Sequence, residues 1–141
     1  MNLREILSVK GRTVHTIGPR ATLADVVRML VELNCGSLVV CDGDAMVGII
    51  TERDILKTVA ARPKPLEEIS VEERMTRDAL TAVPEDEVED VMGLMTQRRI
   101  RHLPVLEDGK LAGIISIGDV VKAHHDRLCM ENEYLMHYIH S

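Results

Sequence analysis

The chain has 141 residues, 17 basic and 23 acidic side chains for a net charge of −6, and 45% hydrophobic residues. That suits one compact domain or two small subdomains sharing a core, and it excludes a disordered tail. The acidic balance argues against broad nucleic-acid binding, and no apolar run approaches the roughly 18 residues that a membrane span requires.

The opening residues, Met1 to Glu5, carry an acidic side chain early and no secretory apolar stretch, so a cytoplasmic protein is expected. A first strand falls around Thr16. After Pro19 a helix begins near Thr22, whose hydroxyl can cap it while Asp25 completes a capping-box pair. Leu23, Val26, Val27 and Leu30 follow the i, i+3, i+4, i+7 spacing of a half-buried helix. Next come Leu38 to Cys41, a turn at Asp42-Gly43-Asp44 and a second apolar run from Met46 to Ile50, which together read as a β-hairpin. The second hairpin strand runs into another helix with Thr51 as cap and Asp54 at the third helical position. This helix is expected to reach about Arg62 and to be stopped by Pro63 and Pro65.

The same unit is then written again, 65 residues on, without a gap between 14–57 and 79–122. Identical pairs include Thr16/Thr81, Pro19/Pro84, Asp25/Asp90, Leu38/Leu103, Gly48/Gly113, Ile50/Ile115 and Asp54/Asp119. In all, 11 of 44 positions are identical, where chance pairing gives roughly three. Copy two thus has an expected opening strand at Thr81 and a helix carrying Val88, Val91, Met92 and Met95. A hairpin from Leu103 to Ile115 follows, then a helix capped by Ser116 with Asp119 at its third position. Pro104 lacks a donor and belongs at a strand start or on an edge. One copy is too small to stand alone, so the two are expected to pack sheet to sheet in an α+β layered fold, each repeat β-α-β-β-α. The tail from about Asp126 to His140 is helical in composition, and Leu128, Leu135 and Ile139 share a face interrupted by Asn132. That face can close a dimer, dock on the chain's own core or contact a target, home packing being the commonest outcome for such a tail.

Chemistry concentrates in Gly48-Ile49-Ile50-Thr51-Glu52-Arg53-Asp54 and Gly113-Ile114-Ile115-Ser116-Ile117-Gly118-Asp119. A strand end feeding a helix N-terminus leaves free N–H groups and partial positive charge. An aspartate there can accept hydrogen bonds from a cis-diol, and the small glycine lets a ligand approach the backbone. The same residues can equally serve only as helix caps. With two tyrosines and no Phe or Trp, a flat ligand has to be gripped by aliphatic groups and backbone.

These segments, with Thr16-x-x-Pro19, Thr81-x-x-Pro84 and Arg101-His102-Leu103-Pro104-Val105, resemble the CBS domain, the repeat named after cystathionine β-synthase, arranged as a CBS pair or Bateman module. The resemblance covers residues from about 10 to 125. It implies a lead-in helix in 1–12, repeats at 13–62 and 77–124, a linker at 63–76 and a terminal helix at 125–141. It also implies binding of an adenosine nucleotide (AMP, ADP, ATP or NAD) in clefts between copies, and a homodimeric disc of four repeats. Thr51, Asp54, Ser116 and Asp119 would hold ribose, and Thr16, Ile50, Thr81 and Ile115 would border adenine. Arg101 and His102 would reach phosphate, with Gly36 and Ser37 as their uncharged counterparts. The site pairing Asp54 with Arg101 and His102 is therefore expected to bind tighter than the other.

No catalytic group, membrane partner or metal is expected. The six histidines lack a ligand constellation, and the odd cysteines Cys35, Cys41 and Cys129 read as reduced thiols. The leading expectation is a regulatory nucleotide sensor without catalysis. Its rivals are a constitutive protein–protein adaptor that binds no nucleotide and a redox sensor using Cys35 or Cys41.

Overall fold

A computed structural model describes residues 1–61 and 64–140. Its elements run α1 (Leu3–Lys10), β1 (Thr16–Ile17), α2 (Leu23–Leu33), β2 (Ser37–Asp42), β3 (Ala45–Thr51), α3 (Glu52–Ala61), a 3-10 turn at Leu66–Glu68, α4 (Val71–Arg74), α5 (Val88–Arg98), β4 (His102–Glu107), β5 (Lys110–Ser116) and α6 (Ile117–His140). The expected end of α3 at Arg62 and its stop at Pro63 lie outside the described residues.

Two compact units result. The first-repeat unit comprises Thr13–Leu80 with Asp108–Leu111, and the second-repeat unit comprises Met1–Arg12, Thr81–Glu107 and the chain from Ala112 onward. In the first, β1 pairs parallel with β2, and β2 pairs antiparallel with β3. Thr22 caps α2 with Asp25 in a reciprocal box, as its sequence indicates. The core gathers Ile17, Leu23, Val26, Leu38, Ile50, Ile69 and Val71.

In the second unit, β4 and β5 form a two-stranded sheet, and the strand expected at Thr81 is reduced to a single parallel bridge between Ala82 and Val105. Pro104 explains the loss. Its counterpart in the first copy, Val39, donates its N–H to the His15 carbonyl at 3.1 Å and so extends β1. Proline has no N–H to give, so only the bonds flanking Ala82 remain, Ala82 N–H to the Pro104 carbonyl (2.9 Å) and Leu106 N–H to the Ala82 carbonyl (2.8 Å).

The leading helix of each copy packs with the opposite repeat. Helix α1 delivers Leu3, Ile6 and Leu7 into the second-repeat core, and α4 delivers Val71 into the first. Three backbone hydrogen bonds fasten each leader and match one for one. Leu3 N–H to the Asp86 carbonyl (3.0 Å) corresponds to Val71 N–H to the Ala21 carbonyl (2.8 Å). Arg4 to Pro84 (2.9 Å) corresponds to Glu72 to Pro19 (3.0 Å), and Val88 to Met1 (3.0 Å) to Leu23 to Ile69 (2.9 Å). The start of each leader is stiffened in the same way, Glu5 accepting from the Asn2 N–H (2.9 Å) and Glu73 from the Ser70 N–H (2.6 Å). The leaders are thus a further repeated element, related by an offset of 68 instead of 65.

The leaders also correct the expectation for the motif glycines. A Cβ on Gly48 would lie 2.7 Å from the Thr76 carbonyl oxygen and 2.9 Å from the Met75 sulfur, and one on Gly113 would lie 2.6 Å from Leu7 Cδ2. Each glycine admits the chain's own leader segment, where a close ligand approach was expected. Gly48→Ala meets backbone, which cannot rotate away, and is expected to cost about 1–3 kcal/mol. Gly113→Ala meets a side-chain tip and should cost less, a difference measurable by urea denaturation.

Nothing interrupts the last helix, because no Pro or Gly follows Gly118. The expected terminal helix is therefore the continuation of the repeat's own helix, in one 24-residue element. Val120 is buried in the core, but from His125 to Ile139 every side chain is exposed. Leu128, Leu135 and Ile139 are 49%, 56% and 71% exposed, so the expected home packing of this face does not occur.

Candidate ligand-binding site

In the first-repeat unit, β3 ends on Thr51 and α3 begins at Glu52, so the chain reverses into a helix start within one residue. Asp54 Oδ2 accepts from the Thr51 N–H (3.0 Å) and hydroxyl (3.2 Å), while the Asp54 N–H donates back to Thr51 Oγ1 at 3.4 Å. Among the described residues, the other carboxylate oxygen, Oδ1, accepts only a long 3.5 Å bond, from the Thr76 hydroxyl. One oxygen is committed to the cap and the other is weakly held, so this carboxylate keeps acceptor capacity for an incoming hydroxyl.

The second-repeat unit builds the same cap. Asp119 Oδ2 accepts from the Ser116 N–H at 2.8 Å, and the Asp119 N–H donates to Ser116 Oγ at 3.1 Å. Here the resemblance stops. The Lys10 ammonium, on the last turn of α1, lies 2.6 Å from Asp119 Oδ2 and donates also to the Ile114 carbonyl at 2.8 Å. In the first copy the corresponding carbonyl, that of Ile49, accepts from the Thr76 N–H at 2.8 Å. Burial pushes the Asp119 carboxyl up, but Lys10 together with the Ser116 N–H and hydroxyl outweighs it and holds the group below the usual carboxylate range.

The remaining expected residues lie on the strands and strand ends of the same two units. Thr16 and Thr81 are exposed, the one on β1 and the other just before the Ala82 bridge. Ile50 and Ile115 are fully buried in their own cores, so they can offer a ligand backbone groups and no side chain. Ser37 opens β2 opposite Thr51 and is buried, whereas Arg101 is exposed and His102 half-buried. Both positions abut a motif helix through backbone. Glu52 N–H donates to the Gly36 carbonyl (3.0 Å), and Ile117 N–H to the Arg101 carbonyl (2.8 Å). Lys10 and Thr76 are the site residues that sequence reasoning missed. The paired patterns Asn2-x-x-Glu5 and Ser70-x-x-Glu73, 68 apart, are the signal that points to them.

Among the described residues, no cluster of three or more His, Cys, Asp or Glu is placed to hold a metal ion, and no helix is long and apolar enough to cross a membrane. Burial pushes the Cys41 thiol up, opposite to what a reactive thiolate requires.

The sequence profile of the CBS domain matches this chain twice, over residues 4–61 and 67–126. The chain belongs to the CBS domain family. It is a tandem CBS pair of mixed helices and strands. The mitochondrial CBS domain-containing protein CBSX3 of Arabidopsis thaliana is 38% identical over 123 residues, covering 81% of this chain; the chain spans only 60% of that protein's length. A CBS-domain containing protein of Agrobacterium tumefaciens superposes with a TM-score of 0.84 at 39% identity, over 88% of this chain and 99% of the other. The CBS domain pair of protein MJ0100, solved in complex with 5-methylthioadenosine and S-adenosyl-L-methionine, has a TM-score of 0.77 at 27% identity, over 88% and 99% of the two chains. CBS pairs are in general regulatory, nucleotide-binding modules, and free-standing ones are not catalytic.

Proposed function

We propose that this CBS pair is a cytoplasmic, homodimeric sensor of adenosine nucleotides (AMP, ADP, ATP or NAD) that regulates a partner and catalyses nothing itself. The observation that carries this reading is the Asp54 carboxylate, capped through Oδ2 and left with a 3.5 Å partner on Oδ1, at a helix N-terminus. A ribose hydroxyl donating to Oδ1 gains a charge-assisted hydrogen bond without breaking the cap. The two ligands in complex with the MJ0100 pair carry no phosphate but share the adenosine group of these nucleotides. Thr51 and Ser116 adjoin the ribose, Thr16, Thr81 and the backbone at Ile50 and Ile115 border the base, and Arg101 with His102 takes the phosphate, Ser37 standing in the uncharged equivalent position.

A thermal-shift panel of AMP, ATP, NAD and S-adenosylmethionine tests it. A ligand at a hundredfold excess over its Kd stabilises the folded state by about 2.7 kcal/mol, which raises Tm by several degrees. A flat response to all four would favour a constitutive adaptor, for which the exposed apolar residues of α6, Leu128, Leu135 and Ile139, are the supporting observation.

A further inference from the structure

Two equivalent caps are approached by two leaders that end differently. Helix α4 stops at Arg74, and the chain continues extended through Met75 to Thr76, which bridges Ile49 by backbone and touches Asp54 through its hydroxyl. Helix α1 runs on to Lys10, an additional turn for which α4 has no equivalent. The ammonium of Lys10 then stands in for two of Thr76's three hydrogen bonds among the described residues, the third being the Ile49 N–H donated to the Thr76 carbonyl at 3.0 Å. It reaches the Ile114 carbonyl where Thr76 uses its N–H on Ile49, and it meets Asp119 on the cap oxygen Oδ2, where the Thr76 hydroxyl meets Asp54 on Oδ1. The neutral arrangement of the first copy is replaced in the second by a cation.

We infer that Lys10 is the residue that makes the two ribose sites unequal, acting as an internal competitor that neutralises Asp119 and weakens its hold on a cis-diol. This rests on the nucleoside reading above. The ammonium is anchored at two points, and both oxygens belong to the motif that would receive the ligand. A diol approaching Asp119 meets a carboxylate already compensated by positive charge, so it gains less than at Asp54. Lys10 is 33% exposed and Asp119 24%, so the ion pair is accessible to exchange and its strength responds to salt. The first site is thereby set to fill first, and the second binds more tightly once the leader helix gives up its lysine.

Titration calorimetry on the full chain with adenosine, which carries no phosphate to attract the ammonium, separates the possibilities. Asp54→Ala isolates the second site, and adding Lys10→Met is expected to tighten adenosine binding there by roughly two- to fivefold at low salt, the range of an exposed ion pair. In an Asp119→Ala chain, which reports the first site, Lys10→Met should change nothing. Lys10→Gln serves if the Met variant unfolds, with Tm measured for every variant. The inference is overturned if removing the ammonium leaves second-site affinity unchanged or weaker while wild-type chain binds adenosine. If neither wild type nor any variant binds adenosine, the nucleoside reading fails and the competitor role falls with it.

Discussion

Leu3→Ala is expected to destabilise the protein by about 2–5 kcal/mol, a large share of the roughly 5–15 kcal/mol available to a domain. Leu3 is fully buried, and Ile6 and Leu7 lie with it in a core otherwise made of Val88, Val91, Met95, Leu103, Val105, Ile115 and Val120. Truncating it leaves a cavity in the second-repeat unit, although the residue precedes the first repeat in the chain. Hydrogen exchange after the substitution should accordingly lose protection first at Val88 and Ile115, with the amides of Val26 and Ile50 in the first-repeat core lagging. A loss below about 1 kcal/mol in urea unfolding would mean that α1 is not docked as described. The exposed ion pairs of Arg4 with Glu85 (2.5 Å) and Glu107 (2.7 Å) cannot substitute for that packing, because exposed pairs contribute little.

Asp54→Ala is expected to weaken nucleotide binding by roughly 10- to 150-fold, corresponding to one hydrogen bond to a charged group at about 1.5–3 kcal/mol. Asp119→Ala should cost less, because its carboxylate already spends its charge on Lys10. Calorimetry on the two single variants measures both losses, and equal losses would refute the ordering. Each substitution also removes a helix-cap acceptor worth about 1 kcal/mol, so the melting temperature of each variant must be followed to separate lost affinity from lost fold.

Much of the fold was legible in the sequence because the repeat supplies every element twice. The capping pairs Thr22/Asp25, Thr51/Asp54 and Ser116/Asp119 form where their spacing says they should. The leaders escaped notice for a physical reason. Their shared content is an N-cap, a glutamate three residues later and a few apolar positions, a pattern common to helix starts in general. Their offset also differs by three residues from that of the repeat, so they drop out of its register. Pro104 was legible as a residue that cannot donate, but its cost falls on the neighbouring strand at Thr81, which only the pairing reveals. Lys10 was invisible for a related reason. A lysine in the last turn of a short helix reads as a favourable partner for the helix dipole, and nothing in the linear order brings it to a residue 109 positions away.

The exchange of leaders also sets a clock on synthesis. Met1 and Glu87, which meet in the folded chain, are 86 positions apart. At roughly 5–20 residues per second, α1 is made roughly 4 to 17 s before Glu87, and longer still before Val120 completes the core on which it docks. An eight-residue helix is marginal by itself in water, so Leu3, Ile6 and Leu7 spend that interval uncovered while the first-repeat unit, almost wholly contained in Thr13–Leu80, is already able to collapse. A segment made before the first repeat is thus buried only after it, and that waiting segment is where a nascent-chain chaperone would find its handle.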